Sequence, residues 1–384
     1  MTMKKLYKHQ ERFLEKNPDK GLLLWEVGTG KTLAACEWIK LRPNRRALVV
    51  CPKAIIGKWK RDLHETGTKA DVMTRDEIKK VDLTPYSVLV LDEAHDFASP
   101  LFNKQRSQRA TKIYNHIKDH PKTNVLLLSG TPCRSSPWNI HTLACYIGHF
   151  WPVKQFREEF EYLTDMYGRG WHYALVPDWR KRIRPYIEKI SDIVLLKDCF
   201  DVPVQHEQII KIPWTTKQEH ALGEQYLEPA KGWHTRHRAE NGHEKLAKLK
   251  EIISGYRKVV IVCYYIEQIR DYALEIAKER QVFVLQGSTK NQDKVISSAR
   301  EADDCCFFLQ ADIAAGFDAS EFSVMIFASQ SFKFVANVQA KGRILRANDL
   351  HENTYIYLIG GKNDKSVFDT VKLGHDFHPP SYRI

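Results

Sequence analysis

The sequence predicts an α/β protein with two tandem domains, each built on a parallel sheet flanked by helices. Short, near-continuous apolar runs alternate with helix-forming stretches, which is typical of a parallel sheet covered on both faces. This alternation stops near the middle of the chain and then resumes. The chain has 384 residues, which is more than one hydrophobic core usually holds and enough for two domains.

The first half of the chain predicts four strands separated by helices. We expect right-handed crossovers between these strands, and ligands at their carboxyl ends, as in other open parallel sheets. The residues at the strand ends are therefore the first candidates for function. The predicted strands are 21–25, 47–51, 87–91 and 124–129, and the predicted helices are 31–40, 55–64 and 105–120.

The middle of the chain has a different character. Residues 138–199 are aromatic and basic with mixed periodicity, and the chain from Asp201 resembles a linker. Thr216 and Glu219 have the spacing of a capping box, which predicts the start of a helix. The second domain then has predicted strands at 258–263, 281–285, 305–309, 323–327 and 354–358, and predicted helices at 244–254, 266–280, 291–302 and 335–345.

Composition limits the class of partner. The formal charge of +12 suggests an anionic partner, either nucleic acid or a membrane surface, although the excess of Lys and Arg could equally solvate the surface. No apolar run is long enough to span a bilayer, and the lysines near the N-terminus are not followed by the apolar segment of a signal peptide. Eight scattered cysteines without a CxxC pair predict reduced thiols, no structural zinc site and an intracellular protein.

The most informative segment is Gly28-Thr29-Gly30-Lys31-Thr32, between the first apolar run and the first helix. In such a turn, backbone N–H groups and the helix N-terminus face the phosphates of a nucleotide. The lysine neutralises the β- and γ-phosphates, and the threonine hydroxyl can reach Mg²⁺. The strict pattern requires a glycine where this chain has Trp25, so the two glycines could instead serve only a tight turn.

Acidic residues follow the third predicted strand. Asp92 and Glu93 end a buried apolar run, where charges are costly unless they are paired or bound to metal. Beside a phosphate loop, Asp92 can hold Mg²⁺ through its water shell and Glu93 can deprotonate the attacking water. A solvated acidic turn is the alternative. The next strand ends in Ser129-Gly130-Thr131-Pro132, which suits a rigid turn that hydrogen-bonds the acidic strand end.

Two arginines stand out in the second domain. Arg343 and Arg346 are three residues apart, so on a helix they would share one face. Opposite a bound triphosphate they could act as arginine fingers, and only when the domains close. Helix surfaces often carry such pairs, so the pair by itself is weak evidence.

Taken in order, these segments resemble the motor core of superfamily 2 helicases and translocases, and are most similar to the Swi/Snf-type ATPases. That superfamily uses a shorter G-x-G-K-T loop, so Trp25 fits it. The resemblance covers nearly the whole chain. Its segments are 6–10 (glutamine motif), 28–32 (motif I), 48–53 with Trp59 (motif Ia), 92–95 (motif II, a DEAH box), 129–132 (motif III), 259–264 (motif IV), 311–318 (motif V) and 339–346 (motif VI).

The resemblance implies two RecA-like domains and an ATP site. The domains would be 1–198, binding ATP and carrying a protrusion at about 138–198, and 199–384, the helicase domain. Mg²⁺ would be held by Thr32 and, through water, by Asp92. Glu93 would be the base, and the arginines of motif VI the fingers. Expected ATP-binding residues are Gln10, which would recognise adenine, Gly28, Thr29, Gly30, Lys31, Thr32 and Gln339.

The resemblance also implies a nucleic-acid track across both domains. Lys53, Ser129 and Thr131 are candidates for contacts with the phosphate backbone. Trp171 and Arg180 lie in segments that interleave aromatic and basic residues, which can stack bases and hold phosphates, or can equally be a packed helical protrusion with a solvated face. Motif V departs from the family because it has Ala314-Ala315 where a pair of glycines is common, which leaves its backbone contacts in doubt.

These expectations lead to a DNA-stimulated ATPase that translocates on double-stranded DNA, in the cytoplasm of a bacterium or of a virus-infected cell. A helicase that separates strands or remodels branched DNA is the alternative within the same class, and RNA is a less favoured track. An adaptor that uses ATP only as a switch is an alternative from another class. It would bind ATP tightly with negligible hydrolysis, and the presence of Glu93 with two arginines argues against it.

Overall fold

The first sheet has six parallel strands in the order β3-β2-β4-β5-β1-β8. The computed structural model describes residues 5–101, 107–130, 136–165, 172–200, 203–213, 229–313, 317–345, 352–374 and 376–377. The chain divides into two units, residues 1–199 and 200–384. The strands of the first sheet are β1 (Lys20–Trp25), β2 (Ala47–Cys51), β3 (Asp71–Thr74), β4 (Val88–Asp92), β5 (Asn124–Leu128) and β8 (Asp192–Val194).

Alternating residues of these strands enter two different cores, one on each face of the sheet. Leu22, Leu89 and Leu127 belong to one core, whereas Leu23 and Val90 belong to the other. This two-sided burial explains why the strands are continuously apolar in sequence. The helices of the first unit are α1 (Lys8–Lys16), α2 (Lys31–Lys40), α3 (Ile56–Thr66), α4 (Gln108–Asp119), α5 (Trp138–Tyr146), α6 (Val153–Phe160), α7 (Trp179–Ile190) and α8 (Leu196–Cys199).

The segment after β5 packs against the first sheet. Trp138, Phe156 and Trp179 from α5, α6 and α7 join the same core as Leu22 and Leu89. Between α6 and α7 the chain forms an antiparallel hairpin of β6 (Glu161–Thr164) and β7 (His172–Leu175). The chain then returns to the sheet as β8, which pairs with β1 in parallel. The hairpin, β3 and β8 were not predicted, because three- and four-residue strands at an edge carry no continuous apolar run.

The second sheet also has six parallel strands, in the order β11-β12-β10-β13-β14-β9. Its strands are β9 (Gln205–Lys211), β10 (Lys258–Cys263), β11 (Val282–Leu285), β12 (Cys305–Gln310), β13 (Val324–Phe327) and β14 (Asn353–Ile359). Its helices are α9 (Pro229–Glu240), α10 (His243–Ile253), α11 (Ile266–Ile276), α12 (Gln292–Glu301), α13 (Phe334–Lys341) and α14 (Lys362–Lys372).

Two expectations for the second half change, and a third falls outside the described residues. The stretch from Asp201 is more than a linker, because β9 is an edge strand with a mostly exposed, mixed sequence that hides its pairing. The capping box predicted at residues 216–219 lies outside the described residues. The helix predicted at 335–345 ends at Lys341, so Arg343 lies in the turn that follows it and not on a helix face.

The α/β fold with two parallel sheets flanked by helices is therefore confirmed. None of the helices within the described ranges is long and apolar enough to cross a membrane.

Candidate nucleotide-binding site

The turn between β1 and α2 has the backbone of a phosphate-binding loop. Gly28 and Gly30 have φ angles of +88° and +82°, in the left-handed region that side chains rarely adopt. A Cβ atom at Gly30 would also lie 2.4 Å from Nε2 of Gln10. Glycine is needed here because the backbone turns sharply into the N-terminus of α2, where N–H groups favour an anion.

Two side chains of α1 contact backbone carbonyl groups of this loop and stabilise it. His9 Nε2 is 2.8 Å from the carbonyl oxygen of Thr29, and Gln10 Nε2 donates to the carbonyl oxygen of Gly30 at 2.9 Å. The other end of the Gln10 amide, Oε1, accepts a hydrogen bond from the backbone N–H of Tyr7. His9 and Gln10 are buried. Gln10 thus supports the loop, a role that the sequence did not predict for it.

Lys31 follows the loop as the first residue of α2. Its ammonium group donates to the carbonyl oxygens of Trp25 at 2.7 Å and Glu26 at 2.9 Å, at the carboxyl end of β1. Thr32 is the second residue of α2 and is partly exposed. Thr29 is buried, and its hydroxyl donates to the carbonyl oxygen of Glu26 at 2.7 Å. Hydrogen bonds therefore join the loop to the carboxyl end of β1.

The acidic pair lies at the carboxyl end of β4, at the same edge of the sheet: Asp92 is the last residue of the strand and Glu93 follows it. In the sheet register Asp92 lies opposite Leu128, which in turn lies opposite Leu23 of β1. Asp92 is 8% exposed; its Oδ2 accepts a hydrogen bond of 2.7 Å from the indole Nε1 of Trp59. Its Oδ1 accepts the backbone N–H of Glu93 at 2.9 Å.

Glu93 has the left-handed backbone conformation, with φ +52° and ψ +53°. Such a conformation is uncommon for a residue with a side chain, and it is often found at functional sites. His95 Nδ1 lies 3.4 Å from Oε2 of Glu93 and 3.0 Å from Oγ of Ser129, at the end of β5. The segments after β4 and β5 are thereby joined through a buried imidazole.

The oxygen donors at this edge fit Mg²⁺. Thr32 offers a hydroxyl and Asp92 a carboxylate, which are hard ligands of the kind that Mg²⁺ prefers. The described residues contain no cluster of three or more His, Cys, Asp or Glu side chains that could hold a metal. Thr32 and Asp92 would be enough for Mg²⁺, because this ion usually keeps several waters and is bound through one or two carboxylates and the phosphates of a substrate.

Motif VI is hydrogen-bonded to the C-terminal end of motif V and to the residue that follows it. Arg343 is 8% exposed, and its guanidinium donates to the carbonyl oxygens of Phe317 at 2.7 Å and Gln339 at 3.0 Å. The N–H of Ala319 donates to the carbonyl oxygen of Arg343 at 2.9 Å. Gln339 is partly buried on α13. Arg346 lies outside the described residues, as do Ala314 and Ala315.

The described candidates for nucleic-acid contact, Lys53, Ser129 and Arg180, lie on different elements of the first unit. Lys53 is exposed at the turn after β2, whereas Ser129 is buried against His95. Arg180 lies on α7 with its guanidinium 4.5 Å from the ring centroid of Trp179. Thr131 and Trp171 are not among the described residues.

Comparison with known families and structures identifies the class of fold. Residues 244–348 match the family model of the helicase conserved C-terminal domain. The sequence matches none of the curated proteins.

Two solved helicase structures extend the likeness to the whole chain. The Pyrococcus furiosus Hef helicase domain is 12% identical, with a TM-score of 0.52, over 96% of this chain and 98% of that chain. S. cerevisiae Dbp5, in a variant bound to RNA and ADP BeF3, is 13% identical, with a TM-score of 0.59, over 98% of this chain and 90% of that chain. At such identities the likeness shows the fold, which is that of tandem RecA-like helicase domains. Together with the C-terminal match it supports a superfamily 2 helicase, and the finer resemblance to Swi/Snf-type ATPases stays a prediction.

Proposed function

We propose that this chain is an ATP-dependent nucleic-acid motor: a DNA-stimulated ATPase that translocates on double-stranded DNA. The observation that carries the proposal lies in the first unit. The loop from Gly28 to Lys31 and the carboxylates of Asp92 and Glu93 lie at the carboxyl edge of one sheet. The helicase C-terminal match in the second unit supports coupling of such a site to a nucleic acid.

In the proposed site, the loop binds the phosphates of ATP. Backbone N–H groups of Gly28, Thr29 and Gly30 and the N-terminus of α2 would face the phosphates, and Lys31 would leave its carbonyl partners to reach them. Gln10, which is buried and supports the loop through Gly30, would have to become accessible in order to contact adenine. Gln339 of motif VI would complete the nucleotide-binding set.

Catalysis in this proposal depends on charge placed around the γ-phosphate. Thr32 and, through water, Asp92 would hold Mg²⁺, which when bound neutralises the charge that develops on the phosphate oxygens. Glu93 would orient the attacking water and take its proton. Arg343 and Arg346 would supply positive charge from the second domain. Arg343 uses one of its five N–H groups in its present bond to the carbonyl of Phe317.

The choice of track rests on different observations. The similarity of the motifs to Swi/Snf-type ATPases favours double-stranded DNA without strand separation. The structural likeness to Dbp5, which is bound to RNA in that structure, makes RNA the second candidate. Lys53 and Arg180 are proposed to contact the track, together with Ser129, Thr131 and Trp171.

A panel of nucleic acids in one ATPase assay tests the proposal. ATP hydrolysis by the purified chain is measured alone and with single-stranded DNA, double-stranded DNA, single-stranded RNA and double-stranded RNA. We expect the greatest stimulation by double-stranded DNA, of about 5-fold or more. Greater stimulation by either RNA would replace DNA as the track, and no stimulation by any of the four would refute the motor. Tight ATP binding without hydrolysis would indicate the adaptor.

A second pair of assays separates translocation from unwinding. Displacement of the third strand from a DNA triplex reports movement along the duplex, whereas release of a strand from a partial duplex reports unwinding. We expect triplex displacement without duplex unwinding. Unwinding of the partial duplex at a comparable rate would favour the helicase that separates strands.

A further inference from the structure

We propose that Trp59 is a positioning residue for ATP hydrolysis, because its indole N–H fixes the orientation of the Asp92 carboxylate. Trp59 lies on α3, and Asp92 ends β4. The inference rests on the proposed ATPase function and assigns a role to a side chain that is buried in the core.

The contact is short and shielded from water. The distance from Nε1 of Trp59 to Oδ2 of Asp92 is 2.7 Å, and Trp59 is 1% exposed. The indole packs in the same core as Val90 of β4 and Trp38 of α2. Because the ring is enclosed by the core, its N–H has a fixed direction and holds the carboxylate in a fixed plane.

Both carboxylate oxygens are held by the protein. Oδ2 accepts the indole N–H, and Oδ1 accepts the backbone N–H of Glu93. An ionised carboxylate has about four lone-pair sites, so each oxygen of Asp92 keeps one acceptor site for a metal-bound water. The geometry therefore orients Asp92 without using up its capacity to hold the water shell of Mg²⁺.

The chemistry of the donor suits this role. An indole N–H is a neutral donor that does not titrate, whereas Lys or Arg at the same place would form an ion pair. A cationic partner would cancel the negative charge that attracts Mg²⁺. Trp59 holds the carboxylate and leaves its charge intact. Groups that orient metal ligands in this way typically change metal affinity or activity by about 10- to 100-fold when they are removed.

The matched control is a second buried tryptophan of the same core. Trp38 is also fully buried, and its Nε1 donates to the carbonyl oxygen of Pro18 at 2.9 Å. Trp38→Phe and Trp59→Phe therefore remove the same group and similar ring volume, but only Trp59→Phe frees the carboxylate of Asp92. A purely structural role for Trp59 predicts that both variants behave alike.

The measurement is the Mg²⁺ dependence of nucleotide affinity at equilibrium. A fluorescent ATP analogue is titrated into the full chain at a series of Mg²⁺ concentrations, with thermal unfolding of each variant recorded in parallel. We expect Trp59→Phe to raise the Mg²⁺ concentration for half-maximal enhancement of binding by about 10-fold or more. Affinity measured without Mg²⁺ should stay unchanged, and Trp38→Phe should follow the wild type in both conditions.

A second substitution keeps the test decisive if the phenylalanine variant does not fold. The sulfur analogue of tryptophan, 3-benzothienylalanine, keeps the ring size and lacks the N–H, and it can be placed at position 59 or 38 by nonsense suppression. An Mg²⁺ dependence at position 59 equal to that of the wild type would overturn the inference. If the wild type itself neither hydrolyses ATP nor responds to Mg²⁺, the proposed function fails instead.

Discussion

His95 and Ser129 connect two strand ends of the first sheet through a buried hydrogen bond. Nδ1 of His95 lies 3.0 Å from Oγ of Ser129, and the same nitrogen lies 3.4 Å from Oε2 of Glu93. Ser129 is the first residue of motif III, and Glu93 belongs to motif II. A change in the charge or position of the Glu93 carboxylate can therefore alter the turn after β5 through its contact with the imidazole of His95.

We expect Ser129→Ala to weaken the stimulation of ATP hydrolysis by nucleic acid more than it weakens basal hydrolysis. The substitution removes one hydrogen bond of a buried imidazole, and a typical hydrogen bond contributes about 0.5–1.5 kcal/mol. It leaves Lys31 and Glu93 in place. The measurement is the ATPase rate with and without the preferred nucleic acid, and we expect the ratio to fall by about 5-fold or more.

Thr142→Val is the matched control for this prediction. Thr142 is buried in α5, and its hydroxyl donates to the carbonyl oxygen of Ser99 at 3.0 Å. The Thr142→Val variant therefore loses one buried hydroxyl group and leaves the contacts at the ends of β4 and β5 unchanged. An equal loss of stimulation in both variants would show that Ser129 acts only through the stability of the unit.

Lys31→Ala and Glu93→Gln should separate nucleotide binding from hydrolysis. Without the Lys31 ammonium group the phosphates lose their main cationic partner, so we expect weaker ATP binding and at least an approximately 100-fold slower turnover. Glu93→Gln keeps the side-chain shape but removes the base, so turnover should fall by about 100- to 10,000-fold with near-normal ATP affinity. Single-turnover hydrolysis and equilibrium binding measure the two effects.

A pair on the same helix provides controls for both variants. Lys40 and Glu37 form an ion pair in the second half of α2, with side chains 34% and 27% exposed. Lys40→Ala and Glu37→Gln change the same charges away from the loop and should leave hydrolysis unchanged. Comparable loss in these controls would mean that net charge, and not position, explains the effect.

The sequence predicts the strands of this fold better than the contacts between them. Strand β10 coincides with its prediction at 258–263, because a strand buried on both faces is continuously apolar. Strands β8 and β9 were missed, since edge strands bury less and their sequences are mixed. Pairing of such strands depends on a neighbour that is distant along the chain.

The same limit applies to the candidate site. Glycine, lysine and carboxylates at strand ends could be predicted because their chemistry is specific to phosphate and metal. The hydrogen bond from Trp59 to Asp92 joins residues 33 positions apart. Only the packing of α3 against the sheet brings them together, so no local pattern contains this contact. The support of Gly30 by Gln10 was hidden for the same reason.

The second unit contains a buried ion pair that the sequence did not predict. Nζ of Lys245 lies 2.6 Å from Oδ2 of Asp364, and the side chains are 0% and 4% exposed. The same ammonium group also contacts the carbonyl oxygens of Ala328 and Leu358, after β13 and within β14. Burial alone would raise the pKa of Asp364, but Lys245 and His237 outweigh it and lower that pKa to about 2.

We expect Lys245→Met to destabilise the second unit by about 3–5 kcal/mol, because it leaves the carboxylate of Asp364 buried without its cationic partner. Urea unfolding at neutral pH measures the loss. Lys248→Met is the control on the same helix, since Lys248 pairs with Glu251 at a much more exposed site and such pairs contribute about 0–1 kcal/mol. Equal destabilisation by both substitutions would show that the buried pair contributes no more to the free energy of unfolding than the exposed pair does.

His237 should make the stability of the second unit sensitive to mild acid. Burial lowers the pKa of His237, and the nearby Lys245 charge lowers it further, although Asp364 acts in the opposite direction. Its Nδ1 lies 2.6 Å from the hydroxyl oxygen of Tyr265, and its Nε2 lies 3.4 Å from Oδ1 of Asp364. The folded protein therefore keeps this imidazole neutral at a pH where the unfolded chain has begun to protonate it.

The sign of the pH effect follows from this difference. Below about pH 6.5 the unfolded chain binds a proton that the folded state does not, so stability falls as the pH falls, by at most about 1.4 kcal/mol per pH unit. Burial raises the pKa of Glu240, so protonation of this carboxyl stabilises the folded state as the pH falls and opposes the effect of His237. The variant that is compared with the wild type must therefore keep Glu240. We expect His237→Gln to lose less stability than the wild type between about pH 7.5 and about pH 5.5 in urea unfolding. The control is His234→Gln, which changes an exposed histidine one turn earlier on α9 and should keep the pH dependence of stability of the wild type. If His237→Gln also keeps that pH dependence, the acid sensitivity belongs to other groups.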